Sequence, residues 1–478
     1  MKPTYEQLES ALSKTKAELT ETKTQLSIAK AKIDKLGNSL KLALEKIVTL
    51  NERLNKNSKN SSKPPSTDQK SNTLDKKCKK RKSRIGHFRT PYPPERVDRR
   101  IGCKRKYCPH CRSRNLQQLS ENPFSLQQVE IPKGKGVVTQ FDCLKYKCND
   151  CHRRSMGTLP ENVPFSAFGP NLMAFVACLT GRFHLSKRET ITLIKDLYDI
   201  DLSEGSIINV EEKVSKALEN VYGKIYRYVI EGDLCRYFDE TSWRNKGKRH
   251  YAWIGTTKNA AYYRIDPHRS KEALFKMIGK FTNRPAVTDR YSAYNALDGP
   301  RQYCLAHLIR DFHAYSEKKG EDGKIGSLIE KELRKICKTH MKWREKTIPK
   351  SHYNRSLRYS RYRLNEYLLD GLALGSDALS GLCERLSDDF ERLWTFQYIE
   401  GMDPTNNMAE RDLRKLVLWR KKSYGTRSKR GQKFVERITS VVETLKKNHK
   451  SPLKFLENAL ISFYQKKPSP LINPSLGF

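Results

Sequence analysis

The sequence predicts a multidomain protein of the α plus α/β class. It should contain an N-terminal coiled coil, a cysteine-rich module, a helical region and a mixed α/β core with a helical insertion. Three observations predict this arrangement. Apolar residues repeat every seven positions at the N-terminus, cysteines recur in two triplets of equal spacing, and short strands alternate with helices in the second half of the chain. A length of 478 residues also favours several domains.

A large excess of positive charge runs through the whole chain. The sequence contains 93 lysine and arginine residues against 53 aspartate and glutamate residues, a formal net charge of +40. Such a surface attracts polyanions by releasing their counterions, so we expect nucleic acid as the partner. Charge alone leaves open a binder of the ribosomal or chromatin type that performs no chemistry.

The sequence contains no apolar run of the length of a membrane span, and its N-terminus does not resemble a secretory signal. We therefore expect no membrane association and a cytoplasmic, reducing location. In that setting the 12 cysteines should be thiols or metal ligands rather than disulfides.

Residues 1–54 carry an apolar seam with a period of seven, formed by Tyr5, Leu12, Leu19, Leu26, Ile33, Leu40, Ile47 and Leu54. A period of 3.5 residues sustained over this length needs a partner helix. The seam therefore predicts a leucine zipper-like coiled coil and a homo-oligomer. A solitary amphipathic helix packed on a core is the alternative.

Residues 55–101 are rich in serine, asparagine, proline and basic residues, a composition that predicts a linker. Within this segment, seven of the nine residues at 76–84 are lysine or arginine. This run is either a DNA-binding arm or a solubilising charge run.

Residues 102–160 contain the two cysteine triplets, and each triplet ends in a C-x-x-C pair. Four thiolates from two such pairs form the tetrahedral cage that structural Zn²⁺ prefers, which predicts a zinc-ribbon-like module. The four residues, called here the paired cysteines, are Cys108, Cys111, Cys148 and Cys151. Cys103, Cys143 and His110 are alternative ligands. The triplet spacing also occurs in iron–sulfur proteins, but its duplication and the basic context favour zinc.

Residues 161–230 are predicted to be helical. One buried helix is expected at 172–179, a second from Ser186 to about Tyr198, and a third after Ser203, which is a suitable N-cap. Two helices joined by a short turn in a basic chain suggest a helix-turn-helix-like DNA-binding region. Plain packing of a helical pair is the alternative.

After Gly232 the pattern changes to short strands, which predicts a mixed α/β core in two parts, 231–316 and 396–450. A basic helical insertion at 317–395 separates the two parts, and a C-terminal tail follows at 451–478. The strands are predicted at 234–238, 250–255, 260–265, 286–288 and 302–305, with a helix at 272–278.

Three carboxylates lie where such a core could bring them together. Asp239 and Asp289 each follow a predicted strand, and Glu410 lies on a helix predicted at 406–420. Side chains at the carboxyl ends of strands reach a common crevice, and converging carboxylates are the ligands that hard divalent cations need. Pattern alone does not single out these three acids in an acid-rich region.

Five short motifs occur in order around these acids. They read D-E-T at 239–241, T-D-R-Y-S-A-Y at 288–294, C-L-A-H-L-I-R-D-F at 304–312, P-T-N-N-M-A-E-R at 404–411 and R-K-K-S-Y-G-T-R-S at 420–428. In these motifs, its linker and its C-x-x-C pairs, the chain resembles the insertion sequence 66 family of transposases over nearly its whole length. Cys103 and Cys143 depart from that family's zinc pattern, which leaves the zinc ligands open.

The resemblance implies a DDE-type transposase that binds the ends of an insertion sequence and catalyses DNA cleavage and strand transfer. It also implies an RNase H-like core in which Asp239, Asp289 and Glu410 are the catalytic ligands of Mg²⁺ or Mn²⁺. Transposon ends and target DNA are the implied partners, together with accessory proteins of the same element. A nucleoid-associated location in a prokaryotic cell follows.

Basic residues on or just beyond the helix of Glu410 are expected to hold DNA phosphates; they are Arg411, Arg414, Arg420, Lys421, Lys422 and Arg427. His307 either touches the scissile region or packs in the core. Two alternative functions are a non-catalytic DNA-binding protein derived from a transposase and a Mg²⁺-dependent nuclease without strand transfer. The presence of all three acids argues against the first alternative.

Overall fold

The computed structural model describes residues 5–55, 92–101, 106, 109–114, 127–129, 134–147, 149–150, 154–160, 163, 166–232 and 234–473. The N-terminal segment is one long helix, α1 (Tyr5–Asn55). More than half of each of Leu19, Leu26 and Ile33 on its apolar seam is exposed. The helix is therefore as the sequence predicted, while its pairing into a coiled coil stays a prediction.

The chain divides into two compact units. The smaller unit contains an antiparallel pair of strands, β1 (Lys145–Lys147) and β2 (Arg154–Met156), and the helix α3 (Lys187–Tyr198). The predicted start of α3 is confirmed by a capping box. The Ser186 hydroxyl accepts a hydrogen bond from the Glu189 N–H, and the Glu189 carboxylate accepts one from the Ser186 N–H. The next helix, α4 (Glu204–Ala217), begins after Ser203, whose hydroxyl accepts from the Ser206 N–H.

The larger unit is built on a five-stranded sheet of order β5-β4-β3-β6-β7. Strand β4 is antiparallel to both of its neighbours, β3 and β5, whereas β6 pairs in parallel with β3 and β7 pairs in parallel with β6. The strands are β3 (Arg236–Asn245), β4 (Lys248–Thr256), β5 (Ala261–Asp266), β6 (Ala286–Thr288) and β7 (Arg301–Tyr303). The predicted mixed α/β architecture is confirmed.

Strand β3 is longer than the sequence predicted. It was expected to end before Asp239, but it continues to Asn245 because every residue from Tyr237 onward pairs with β4. Its parallel pairing with β6 stops at Tyr237. Asp239 therefore lies inside a strand, just beyond the point where the parallel partner ends, rather than after the strand.

Helices surround this sheet. They are α2 (Pro170–Gly181), α5 (Glu219–Tyr226), α6 (Lys271–Ile278), α7 (Leu305–Ser316), α8 (Glu321–Arg344), α9 (Lys350–Leu374), α10 (Asp377–Asp388), α11 (Asn407–Ser423), α12 (Lys429–Lys447) and α13 (Pro452–Tyr464). The predicted helical insertion corresponds to α8–α10, which pack on one another after α7. Helix α13 lies in the segment predicted only as a tail, and it packs against α2.

Helix α12 covers the edge strand β5 with polar side chains. The backbone N–H groups of Ala261, Tyr263 and Ile265 donate to side chains of α12, at 3.1, 2.9 and 2.8 Å. An open edge strand is a site for unwanted pairing with other chains. These contacts occupy the outward N–H groups of β5 and hold α12 against this edge of the sheet. None of the helices in the described segments is both long and apolar enough for a bilayer.

Candidate active site

Alternation along β3 separates two neighbouring carboxylates. Asp239 shares a face of the strand with the buried Tyr237 and Trp243, and Glu240 points to the opposite face. The Asp239 Oδ1 atom accepts a hydrogen bond from the Glu240 N–H at 2.9 Å. Only Asp239 can therefore face the helix α11, which packs across β3 and β4.

Asp289 follows β6 directly, as the sequence predicted. Its Oδ1 atom accepts a hydrogen bond from the Tyr291 N–H at 2.9 Å, which holds the side chain in a local turn. The Thr288 hydroxyl donates to the Asp289 carbonyl oxygen at 2.7 Å. These contacts fix the carboxylate at the carboxyl end of the parallel strand.

Glu410 lies in the first turn of α11, as predicted. The residue before the helix, Asn406, ties this turn to the sheet. Its side-chain N–H donates to the Phe238 carbonyl oxygen at 2.6 Å, and its backbone N–H donates to the Cys304 sulfur at 3.0 Å. Cys304 in turn donates its N–H to the Thr288 carbonyl oxygen at 2.9 Å. One hydrogen-bonded path thus joins the neighbours of all three acids.

The three carboxylates repel one another. Burial raises the pKa of Asp239 well above its usual range, and the negative charges of Glu240, Asp289 and Glu410 raise it further. Burial also raises the pKa of Asp289, although the Tyr291 N–H and nearby arginines offset part of this effect. Within the described part of the chain, neither aspartate forms an ion pair. Such a cluster has the charge and the oxygen donors that suit a divalent cation.

His307 and Arg310, on α7, contact Glu410. The Arg310 Nη2 atom lies 3.2 Å from Glu410 Oε1, and the His307 Nε2 atom lies 3.6 Å from the same oxygen. Burial lowers the pKa of His307 to about 3, and the charges of Arg310 and Arg290 add to this effect. The imidazole is therefore neutral at pH 7. The sequence left the place of His307 open, and the structure puts it beside the third acid.

A second acid next to Asp239, Glu240, is also buried, and its partners were not predicted from the sequence. The Glu240 side chain is 1% exposed, forms a 2.6 Å ion pair with Arg269 and accepts a hydrogen bond from the Tyr294 hydroxyl. Tyr294 belongs to the same motif as Asp289, which was the available signal. Because its oxygens are engaged by Arg269 and Tyr294, Glu240 is a charged neighbour of the cluster rather than a fourth free ligand.

Most of the predicted phosphate-binding residues are exposed. These are Arg411, Arg414, Lys421, Lys422 and Arg427. Arg420 differs, because its guanidinium donates to the Ser242 carbonyl oxygen and hydroxyl and lies 3.4 Å from the Thr241 hydroxyl. It joins α11 to β3. The motif that follows makes a similar connection, since the Trp243 indole N–H donates to the Thr426 hydroxyl at 3.2 Å.

Gly425 allows this connection. Its φ of +102° lies in the region that favours glycine, and an added Cβ would lie 2.1 Å from the Arg244 carbonyl oxygen. The Arg244 carbonyl oxygen also accepts a hydrogen bond from the Thr426 N–H at 2.9 Å. The last of the five motifs therefore serves the fold at the end of α11 as well as carrying charge.

Most of the predicted zinc ligands fall outside the described residues. Three of the paired cysteines, Cys108, Cys148 and Cys151, lie there, as does Cys103. Cys111, Cys143 and His110 are described and exposed. The zinc ligands therefore stay a prediction.

Comparison with known proteins gives two family matches. Residues 166–434 match the family described as the transposase IS66 family, and this segment contains Asp239, Asp289 and Glu410. Residues 12–87, which include most of α1, match a family of unknown function (DUF6444). The search of curated proteins gave no match.

Proposed function

Because the chain belongs to the IS66 family of transposases, we propose that it cleaves the DNA ends of an insertion sequence and joins them to target DNA, with Asp239, Asp289 and Glu410 as the catalytic carboxylates. The family implies DNA transposition in general. The DDE chemistry, the RNase H-like identity of the core and these three residues are our proposal.

The electrostatic coupling of the three acids carries the proposal. They come from a strand, a strand end and a helix, yet the charges of Asp289 and Glu410 both raise the pKa of Asp239. Mg²⁺ or Mn²⁺ bound to these oxygens would supply activation of the attacking oxygen and stabilisation of the departing one. The two aspartates are each held by a backbone N–H, which leaves their second oxygens for that purpose.

The residues around Glu410 orient its carboxylate. Arg310 holds one carboxylate oxygen from α7, and Asn406 fixes the start of α11 against β3. A half-buried, neutral His307 lies on the same side of the Glu410 carboxylate. These groups place the third acid, and substrate binding falls to exposed cations. Arg411 and Arg414 lie on the exposed side of α11, next to Glu410, where they can hold phosphates on either side of the scissile bond.

A further exposed surface supports DNA binding. Helix α9 presents Arg355, Arg358, Tyr359 and Tyr362 on one side, and the two tyrosines are 59% and 64% exposed. Basic and aromatic side chains together suit phosphates and bases. We place α9, the basic residues of α11 and the helix-turn-helix-like region among the DNA-binding surfaces. A zinc-binding module, an N-terminal coiled coil that pairs two chains, and accessory proteins of the element complete the proposal.

Isosteric substitutions of the acids test the catalytic assignment. Asp239→Asn, Asp289→Asn and Glu410→Gln keep side-chain size but remove the charge that holds a divalent ion. Each should lower the cleavage rate at labelled element ends, with Mg²⁺ or Mn²⁺, by at least about a hundredfold. Binding of the same DNA in a gel assay should survive. Glu384→Gln and Asp388→Asn on the exposed side of α10 are matched controls that should cleave normally.

The outcomes separate the candidate functions. Cleavage at the parental rate in all three acid variants would refute the mechanism, and in one variant would remove that residue from the site. Cleavage by the parent without joining to target DNA would identify a metal-dependent nuclease. DNA binding without any cleavage would identify a non-catalytic descendant of a transposase.

A further inference from the structure

Three donor atoms of different chemistry meet at the start of α7. One ligand atom each of Cys304, His307 and Glu410 lies within 4.8 Å of the other two. Cys304 is the N-cap of α7, His307 lies in its first turn, and Glu410 lies in the first turn of α11. Two helix starts therefore supply a thiol, an imidazole and a carboxylate to one point.

The backbone holds this group in place without any ligand. The Cys304 N–H donates to the Thr288 carbonyl oxygen at 2.9 Å, and the Cys304 sulfur accepts the Asn406 N–H at 3.0 Å. The His307 N–H donates to the Cys304 carbonyl oxygen at 3.2 Å. Cys304 and His307 thus form a C-x-x-H pair with a fixed backbone, and the contact with Asn406 fixes the helix of Glu410.

One nitrogen of the His307 ring, Nε2, faces Glu410, and the other nitrogen has no partner in the described part of the chain. The His307 Nδ1 atom is buried and has no hydrogen-bond partner among the described residues. A buried nitrogen without a partner costs free energy, and such groups are commonly found where a ligand or ion completes the site. The Glu410 oxygen that lies 3.2 Å from Arg310 also lies 3.6 Å from the His307 Nε2 atom.

The donor set selects the kind of ion. Mg²⁺ and Mn²⁺ prefer oxygen ligands, whereas a thiolate and an imidazole suit Zn²⁺ and similar borderline ions. Three protein ligands would leave positions for water, unlike the closed cage expected for the paired cysteines.

We propose that Cys304, His307 and Glu410 form a second, zinc-type binding site whose occupation withdraws Glu410 from Asp239 and Asp289 and so inhibits DNA cleavage. On binding, the Cys304 S–H bond breaks, its proton passes to solvent, and a sulfur–metal bond forms with no change of oxidation state. Glu410 exchanges its ion pair with Arg310 for the metal. The inhibition rests on the proposed function, but the binding does not.

Binding is tested on the full chain with Co²⁺ as the spectroscopic probe, after removal of bound metal. The paired cysteines are expected to bind Co²⁺ as well, so the comparison is between variants. Cys304→Ser and His307→Gln should each lose one equivalent of Co²⁺, and Cys304→Ser should lose part of the thiolate-to-Co²⁺ absorption. Cys337→Ser, a half-buried cysteine on α8, should retain both. Equal Co²⁺ stoichiometry in the parent, Cys304→Ser and His307→Gln would overturn the site.

Inhibition is measured as cleavage in constant Mg²⁺ with rising Zn²⁺, and each rate is normalised to that of the same variant without Zn²⁺. The parent and Cys337→Ser should be inhibited alike. Cys304→Ser should need at least about tenfold more Zn²⁺ for half inhibition. Identical inhibition of the parent and Cys304→Ser would overturn the regulatory part. If the parent does not cleave DNA at all, the proposed function fails, while the Co²⁺ stoichiometry still decides the site.

Discussion

Asp412 lies two residues after Glu410 on α11 and anchors that helix in the protein interior. Its Oδ2 atom accepts a hydrogen bond from the Thr256 hydroxyl of β4 at 2.8 Å and lies 2.8 Å from the Lys447 ammonium of α12. The Asp412 and Lys447 side chains are only 11% and 13% exposed. The Tyr263 hydroxyl also donates to the Asp412 carbonyl oxygen at 2.9 Å. This residue therefore sets the distance of Glu410 from the sheet.

Asp412→Ala should destabilise the chain by about 3 kcal/mol, because it leaves the Lys447 charge nearly buried without its partner. Thr256 loses less, since its hydroxyl also lies 3.0 Å from the Ala260 carbonyl oxygen. Asp412→Asn keeps an acceptor for Thr256 but removes the charge, so we expect a smaller loss of about 1.5 kcal/mol. A shift of α11 would also displace Glu410, and the cleavage rate should fall by about tenfold or more.

The free energy of unfolding can be followed by urea titration of the full chain, with the fluorescence of the buried Trp243 and Trp253 as the signal. The double variant Asp412→Leu with Lys447→Met removes both charges and should be more stable than Asp412→Ala alone. Cleavage should recover only partly in this variant, because the Thr256 contact is lost as well.

The exposed pair of Lys324 and Glu321 on α8 is the matched control, since its side chains are 72% and 48% exposed. Glu321→Gln should change stability by no more than about 0.5 kcal/mol and leave cleavage unaltered. If Asp412→Ala were as mild as Glu321→Gln, or if it reduced stability without affecting cleavage, the proposed role of Asp412 in placing Glu410 would be wrong.

Three further outcomes are expected. Replacing Leu19, Leu26 and Ile33 with lysine should place charges on the apolar seam and reduce the mass found by light scattering; an unchanged mass would exclude the coiled coil. Serine in place of the paired cysteines should remove one zinc per chain in elemental analysis and unfold the module, whereas iron with sulfide would contradict the assignment. In metal-free protein, Asp239→Asn should raise the thermal midpoint at pH 7 and change it little near pH 4. The pKa of Asp239 is raised in the folded chain, so its destabilising effect grows as pH rises above about 4. An equal change of the thermal midpoint at both pH values would contradict this explanation.

Local sequence patterns were sufficient where local interactions decide the structure. The apolar strand before Asp289 was predicted with its observed bounds, and the helix of Glu410 was predicted within a few residues. The start of α3 followed from the capping residues Ser186 and Glu189. In the two helices, the hydrogen bonds that define the element join residues close in sequence.

Long-range contacts explain what the sequence did not predict. The polar run after Phe238 does not resemble a strand, but its backbone is paired with β4 and so β3 continues through it. Glu240 forms an ion pair with Arg269 and accepts a hydrogen bond from Tyr294, and Glu410 contacts Arg310, a hundred positions earlier in the chain. These contacts cannot be predicted from a local sequence pattern, because they depend on the order of the strands in the sheet.

The order of the strands explains how acids so distant in sequence meet. Because β6 lies beside β3 and runs parallel to it, the residues beyond their paired segments, Asp239 and Asp289, lie at the same end of the sheet. Asn406 then fixes α11 to this end through the Phe238 carbonyl oxygen and the Cys304 sulfur. The backbone contacts therefore bring carboxylates that repel one another to the same end of the sheet. The rest of the fold must offset the free-energy cost of this repulsion and of their burial. A cation bound by all three would remove that repulsion, so the same arrangement that destabilises the metal-free site favours metal binding.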